Sequence, residues 1–95
     1  MFIILLKFSK NKSKAGEFIE GHNEWLKKGF EDGVFLLSGS LQPELGGSIV
    51  AHDTSLVELQ NRIDADPFVA ENIVFAEIIE IDPKKADKRL NFLVK

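Results

Sequence analysis

Apolar positions along this chain change their period several times, and the changes mark out its elements. Phe2 to Phe8 is apolar except for Lys7 and rich in β-forming residues, which predicts a first strand. Ser9 to Lys14 is a polar connection carrying three lysines. Ala15, Phe18, Ile19, His22, Trp25, Leu26 and Gly29 then recur at helical spacing, with Ser13 as an expected cap and Glu17 in the first turn, where the macrodipole favours a carboxylate. This helix is expected to run to about Phe30. Asp32-Gly33 signals a turn, Val34 to Ser38 a second strand, Gly39 to Gly47 a loop, and Ser48 to His52 a third strand that forms a hairpin with the second. Ser55-Leu56-Val57-Glu58 matches the capping-box pattern and opens a second helix with Leu56, Leu59 and Ile63 on one side. Asp66-Pro67 starts a short helical turn, with Asp as cap and Pro at the first position. Ile73 to Ile81 is the fourth strand, which Pro83 ends. Leu90, Phe92, Leu93 and Val94 make the tail from Lys84 to Lys95 too apolar to float freely.

The order β-α-β-β-α-β is that of a split βαβ, a ferredoxin-like α+β fold with a four-stranded antiparallel sheet and both helices on one face. A sheet covered on one face alternates apolar and polar residues. Phe2-Ile3-Ile4-Leu5-Leu6 and Val34-Phe35-Leu36-Leu37 do not alternate, and Val74-Phe75-Ala76 with Ile78-Ile79 barely does. Strands apolar on both sides need two covers, so the expectation is a homodimer with sheets packed face to face. Residues 1–83 form one domain and 84–95 a C-terminal extension.

Composition narrows the function classes. Ninety-five residues suffice to bury one core without staples, and the chain has no cysteine, which excludes disulfides, thiol nucleophiles and cysteine-based metal sites and fits a cytoplasmic location. No leader pattern and no apolar run long enough to cross a bilayer is visible, so no membrane association is expected. A net charge of -3 argues against nucleic acid, as does the missing aromatic sheet signature of RNA-binding modules.

Among polar residues, His22 stands at the centre of the first helix's apolar stripe, where an imidazole costs desolvation unless its nitrogens find partners. It reads as a satisfied core histidine or as an acid–base group. Asp66 reads as a helix cap or as the carboxylate that orients such a histidine, and one carboxylate can do both. Ser38-Gly39 ends the second strand either as a plain terminus or as a place where backbone and hydroxyl approach a ligand. Gly46-Gly47 opens a strand and not a helix, so it does not form a phosphate cradle. His52-Asp53 reads as solvated, and two histidines so far apart without a third ligand make a poor metal site. The lysines at 7, 10, 12 and 14 read as solvated surface or as an attractor for an anionic substrate.

Taken together, the apolar first strand, His22 with Leu26, Leu37-Ser38-Gly39, the glycine-rich start of strand three and Asp64-Ala65-Asp66-Pro67-Phe68-Val69 resemble the YciI-like (YCII-related) family from about Met1 to Pro83. The resemblance implies a dimeric α+β barrel and an active site centred on His22 and Asp66, with Ser38-Gly39 beside it. Ser40 stands where the family usually has proline. One branch of the family looks like dehydrochlorinases of chlorinated hydroxyquinols. The expected function is therefore cofactor-free acid–base chemistry, of lyase or isomerase type, on a small cyclic oxygenated molecule. Asp66 would fix the His22 tautomer, and Trp25, Phe35 and Phe68 would form apolar walls. The alternative is a non-catalytic dimeric ligand-binding or accessory module in which the His–Asp pair only locks two helical segments together.

Overall fold

A computed structural model describes residues 1–94; Lys95, the last residue of the apolar tail, lies outside the described residues. The strands are β1 (Phe2–Phe8), β2 (Phe35–Leu41), β3 (Gly46–Ala51) and β4 (Val74–Glu80), and the helices are α1 (Ala15–Glu31), α2 (Leu56–Asp64) and α3 (Pro67–Ala70). The sheet order is β2-β3-β1-β4, antiparallel at every step. This is the ferredoxin-like arrangement: each helical crossover returns the chain to a strand two places away in the sheet.

The core sits between the sheet and the helices. Phe2, Ile4 and Leu6 of β1 point into it, as do Ile49 and Ala51 of β3, and Leu59, Ile63, Phe68 and Ile73 close it from the helical side. Gly29 lets α1 pass close over Phe35, because a Cβ there would come within 2.1 Å of the ring. Ser55 and Glu58 form the full capping box expected from their spacing, with the Ser55 hydroxyl accepting from Glu58 N–H and the Glu58 carboxylate from Ser55 N–H, each at 3.1 Å. These hydrogen bonds, the backbone one foremost, hold the Glu58 carboxyl below its ordinary value.

Two expectations are corrected, and the apolar run of β2 gains a local explanation. Ser13 does not cap α1: it lies inside a 3₁₀ turn (Lys12–Lys14), where the Ala15 N–H reaches Lys12 O and meets by backbone one of the donors that a cap would have met. The segment Gly39 to Gly47 is mostly strand, because Gly39, Ser40 and Leu41 pair with Ser48, Gly47 and Gly46, leaving a turn of only 42–45 that contains a cis Gln42-Pro43 bond. Glycine composition suggested a loop, but the ladder is made by backbone groups that glycine also carries. Gly46 is required where it stands: its φ is 131°, and a Cβ would meet Leu6 O at 2.0 Å. Finally, the apolar run in β2 reflects an irregularity, since Phe35 pairs with Ala51 and Leu37 with Val50, so Leu36 is the extra residue.

The face away from the helices carries Leu37, Val50, Ile3 and Ile79 in one row across all four strands, with Phe75 on the same face further along β4, opposite Lys7. Leu37 is 62% exposed and Ile79 45%. Beyond Pro83, a 3₁₀ segment (Lys88–Leu93) brings the Phe92 ring edge-on to His52, with centroids 5.5 Å apart, yet Leu90 and Phe92 stay half exposed. Among the described residues, no helix is long and apolar enough to cross a membrane.

Candidate active site

The Asp66-Pro67 sequence sets the site's first fixed point. Pro67 has no N–H to lose at the first helical position, and Asp66 in extended conformation caps α3, its Oδ1 accepting from Phe68 N–H at 3.0 Å. α1 packs across α3 so closely that a Cβ on Gly21 would lie 3.2 Å from the Pro67 ring. One residue further along α1, His22 Nδ1 comes to 2.8 Å from that same Asp66 Oδ1. The shared oxygen already accepts from a backbone amide, so Nδ1 is the donor, which makes the neutral ring an Nδ1–H tautomer and leaves Nε2 with a free lone pair. Asp66 is fully buried, and its Oδ2 has no hydrogen-bond partner among the described residues.

Aromatic packing fixes the imidazole plane. Phe68 stacks on His22 at 4.0 Å and 5°, and Trp25 lies 5.9 Å away on α1. Trp25 in turn donates from Nε1 to Arg62 O at 2.8 Å and meets Phe35 edge-on. Arg62 also pairs with Asp32 at 3.1 Å. A hydrogen bond from Lys28, and next one from Arg62, hold the Asp32 carboxyl below its ordinary value.

His22 lines a cleft of about 320 Å³ between α1 and the β2–β3 hairpin. Its apolar wall is Leu6, Phe8, Leu26, Ile49, Phe68 and Val74; Asn23, Ser38, Ser40 and the backbone of Gly39, Gly46 and Gly47 supply polar groups. Such a cleft, largely apolar with a few convergent polar atoms, has the make-up of a small-ligand site. Of the residues expected to meet a ligand, His22, Ser38, Gly39 and Phe68 line it. Asp66 stands behind His22, and Trp25 and Phe35 do not line the cleft: Trp25 stacks beside the imidazole, and Phe35 packs against Trp25 and under Gly29 of α1. A helical wheel places Trp25 beside His22 but does not tell which flank faces the opening.

Several lining residues escaped the sequence reading. Asn23 follows His22 on the helix. Ser40 and Gly47 pair with each other, and Gly47 also pairs with Leu6, so this row faces the helices. A Cβ on Gly47 would meet only Gly39 O, at 3.4 Å, so the missing side chain leaves room in the cleft. The signal was the alternation Ser38-Gly39-Ser40, legible only once β2 is known to extend through it. Among the described residues, no group of three or more histidine, aspartate or glutamate side chains is placed to hold a metal ion.

The model of the YCII-related domain matches residues 1–82. The chain belongs to this family. No curated protein matches it in sequence. Among solved structures, this YCII-related chain is similar to the 5-chloro-2-hydroxyhydroquinone dehydrochlorinase of Burkholderia phenoliruptrix in complex with 2,5-dihydroxybenzoquinone. The TM-score is 0.70 at 12% identity, over 94% of this chain and 98% of that one. At that identity the likeness establishes the shared fold.

Proposed function

We propose that this YCII-related protein is a small-molecule enzyme in which His22 acts as general acid and base and Asp66 holds its tautomer. One observation carries the reading: the carboxylate at 2.8 Å engages Nδ1 from behind, and the ring that carries the remaining Nε2 lines the cleft. Nε2 accepts a proton from a substrate O–H or C–H group. The electron pair of the broken bond moves into the substrate's π system. It then expels a leaving group, a lyase reaction, or is reprotonated elsewhere by the imidazolium, an isomerase reaction. Among the described residues the cleft holds no thiol, and its serines have no hydrogen-bonded base, so proton transfer without a covalent intermediate fits best. No cofactor is needed for either outcome.

Energetics support a role beyond capping. A cap contributes about 1 kcal/mol. A buried polar atom without a partner costs about 1–3 kcal/mol, and more on a charged group. Fully burying Asp66 merely to start a four-residue helix therefore gains little. The alternative, a pair that only ties α1 to α3, draws on the same burial and predicts a different result below.

The likeness to the dehydrochlorinase makes chlorinated and hydroxylated quinols and quinones the first ligands to try. The test monitors chloride release from 5-chloro-2-hydroxyhydroquinone, and binding of 2,5-dihydroxybenzoquinone, by wild type and His22→Gln. Binding with a shift of the His22 ring signals in NMR, and turnover lost in the variant, is the expected result. A His22→Gln protein that loses stability but binds as wild type does would make the pair structural.

We further propose that the row Leu37–Val50–Ile3–Ile79 is covered by the same row of a second copy in a two-fold dimer, for an isologous contact needs a self-complementary patch. Sedimentation would show a dimer that Ile79→Glu dissociates; a wild-type monomer would end this proposal. The functional unit is residues 1–83 with 84–95 as an extension, acting in the cytoplasm, which the lack of cysteine fits.

A further inference from the structure

The four lysines between residues 7 and 14 are not equivalent. Lys7 points to the face away from the helices and pairs with Glu77 at 3.0 Å. Lys10 and Lys14 line neither the cleft nor the hollow beside it. Lys12 does: that hollow shares Phe8, Ser40 and Gly46 with the cleft, and Lys12, Gln42 and Glu44 complete it. The Lys12 ammonium sits 4.5 Å from the centroid of the Phe8 ring, a cation–π contact that parks the charge at the cleft's mouth. Among the described residues, Lys12 makes no ion pair. Among the described residues, Glu44 is the carboxylate that lines the hollow, and no hydrogen bond joins it to Lys12.

A chain of net charge -3 does not attract an anion at long range, so any anionic ligand must be recognised by a local cation. Past this mouth the cleft is largely apolar and flanked by the planar stack of Phe68 on His22. We propose that the cleft takes a small planar acid, its ring beside His22 over the glycine-lined strands and its anionic head at Lys12. The inference rests on reading the cleft as a small-molecule site and names the class of molecule.

Calorimetry with 2,5-dihydroxybenzoate and its neutral counterpart 2,5-dihydroxybenzamide separates the charge from the ring. Wild type should bind the acid about fivefold more tightly, the upper end of what a solvent-exposed ion pair supplies. Lys12→Gln should erase the preference and Lys10→Gln keep it. Added salt should shrink it, since screening acts over about 10 Å at 0.1 M. Glu44→Gln should enlarge it. Equal affinities in wild type, with both probes shifting the His22 ring signals, would overturn the assignment of Lys12 and leave the site intact. A preference that survives Lys12→Gln would do the same. Failure of both probes to bind or to move the His22 signals would overturn the small-molecule reading together with this one.

Discussion

The two ends of β1 each open into a hollow, and each hollow has one histidine. At the Phe8 end lies the cleft of about 320 Å³ with His22; at the Phe2 end, under the tail, lies a larger one of about 560 Å³ with His52. Volume favours the second. Chemistry favours the first. His22 has a buried carboxylate behind it and two rings holding its plane, whereas His52 has the edge of Phe92 at 5.5 Å beside Asp53, Glu80 and Asp82 in a wetter setting. An imidazole becomes a catalyst through what fixes it and what its free nitrogen faces, and the space around it is secondary.

The sharpest way to break this contrast is to remove each histidine in turn. His22→Gln should lower turnover about 10²- to 10⁴-fold, the usual worth of a positioned acid–base group, while His52→Gln should leave it unchanged. Equal losses in a steady-state assay would erase the distinction between the hollows. Asp66→Asn comes next. Asparagine can still cap α3 but presents no charge to Nδ1, so catalysis should fall at least tenfold with stability down about 1–3 kcal/mol in denaturant unfolding. A stability loss with full activity would mean that the pair is only a tie.

A third comparison lies within the hairpin. Gly47→Val puts methyl groups into the cleft and should weaken binding of 2,5-dihydroxybenzoquinone about tenfold. Gly39 lends the cleft only its backbone, since it pairs with Ser48 and Ser48 with Leu5 in the row of the opposite face, so Gly39→Val should leave affinity within about twofold, near the scale of neutral surface changes. The smallest effect belongs to neither hollow. Ser55→Ala removes half of the capping box and should cost about 1 kcal/mol without touching the site. Because hydrogen bonds from Ser55 hold the Glu58 carboxyl below its ordinary value, its contribution is complete above that ordinary value and fades as the pH drops through the lowered folded one. Wild type should therefore lose the Glu58 part of the box on acidification, and Glu58→Gln should show a flatter acid limb in thermal melts.

Much of the fold was legible because each element carried its own marker. The capping box at Ser55-Glu58, the Asp-Pro start of α3 and the stripe through His22 are local rules that tertiary packing kept. The site was half legible. His22 and Asp66 are found by type and position, since an imidazole on an apolar stripe demands a partner. The walls were not, because facing direction depends on pairing: Ser40 and Gly47 become neighbours only through the β2–β3 ladder, and glycine-rich sequence hides strand as loop. Trp25 and Phe35 are expected as apolar walls, whereas Trp25 stacks beside His22 and Phe35 packs against Trp25, both away from the opening. Lys12 was visible as one lysine among four, and only its seat on Phe8 sets it apart.

A single atom, Asp66 Oδ1, both starts α3 and aligns His22, so the seating of that imidazole and a piece of secondary structure form or fray as one event. The Phe68 amide that shares this oxygen is thereby a built-in gauge. Its hydrogen-exchange rate reports, residue by residue and without any substrate, the fraction of time the site is assembled.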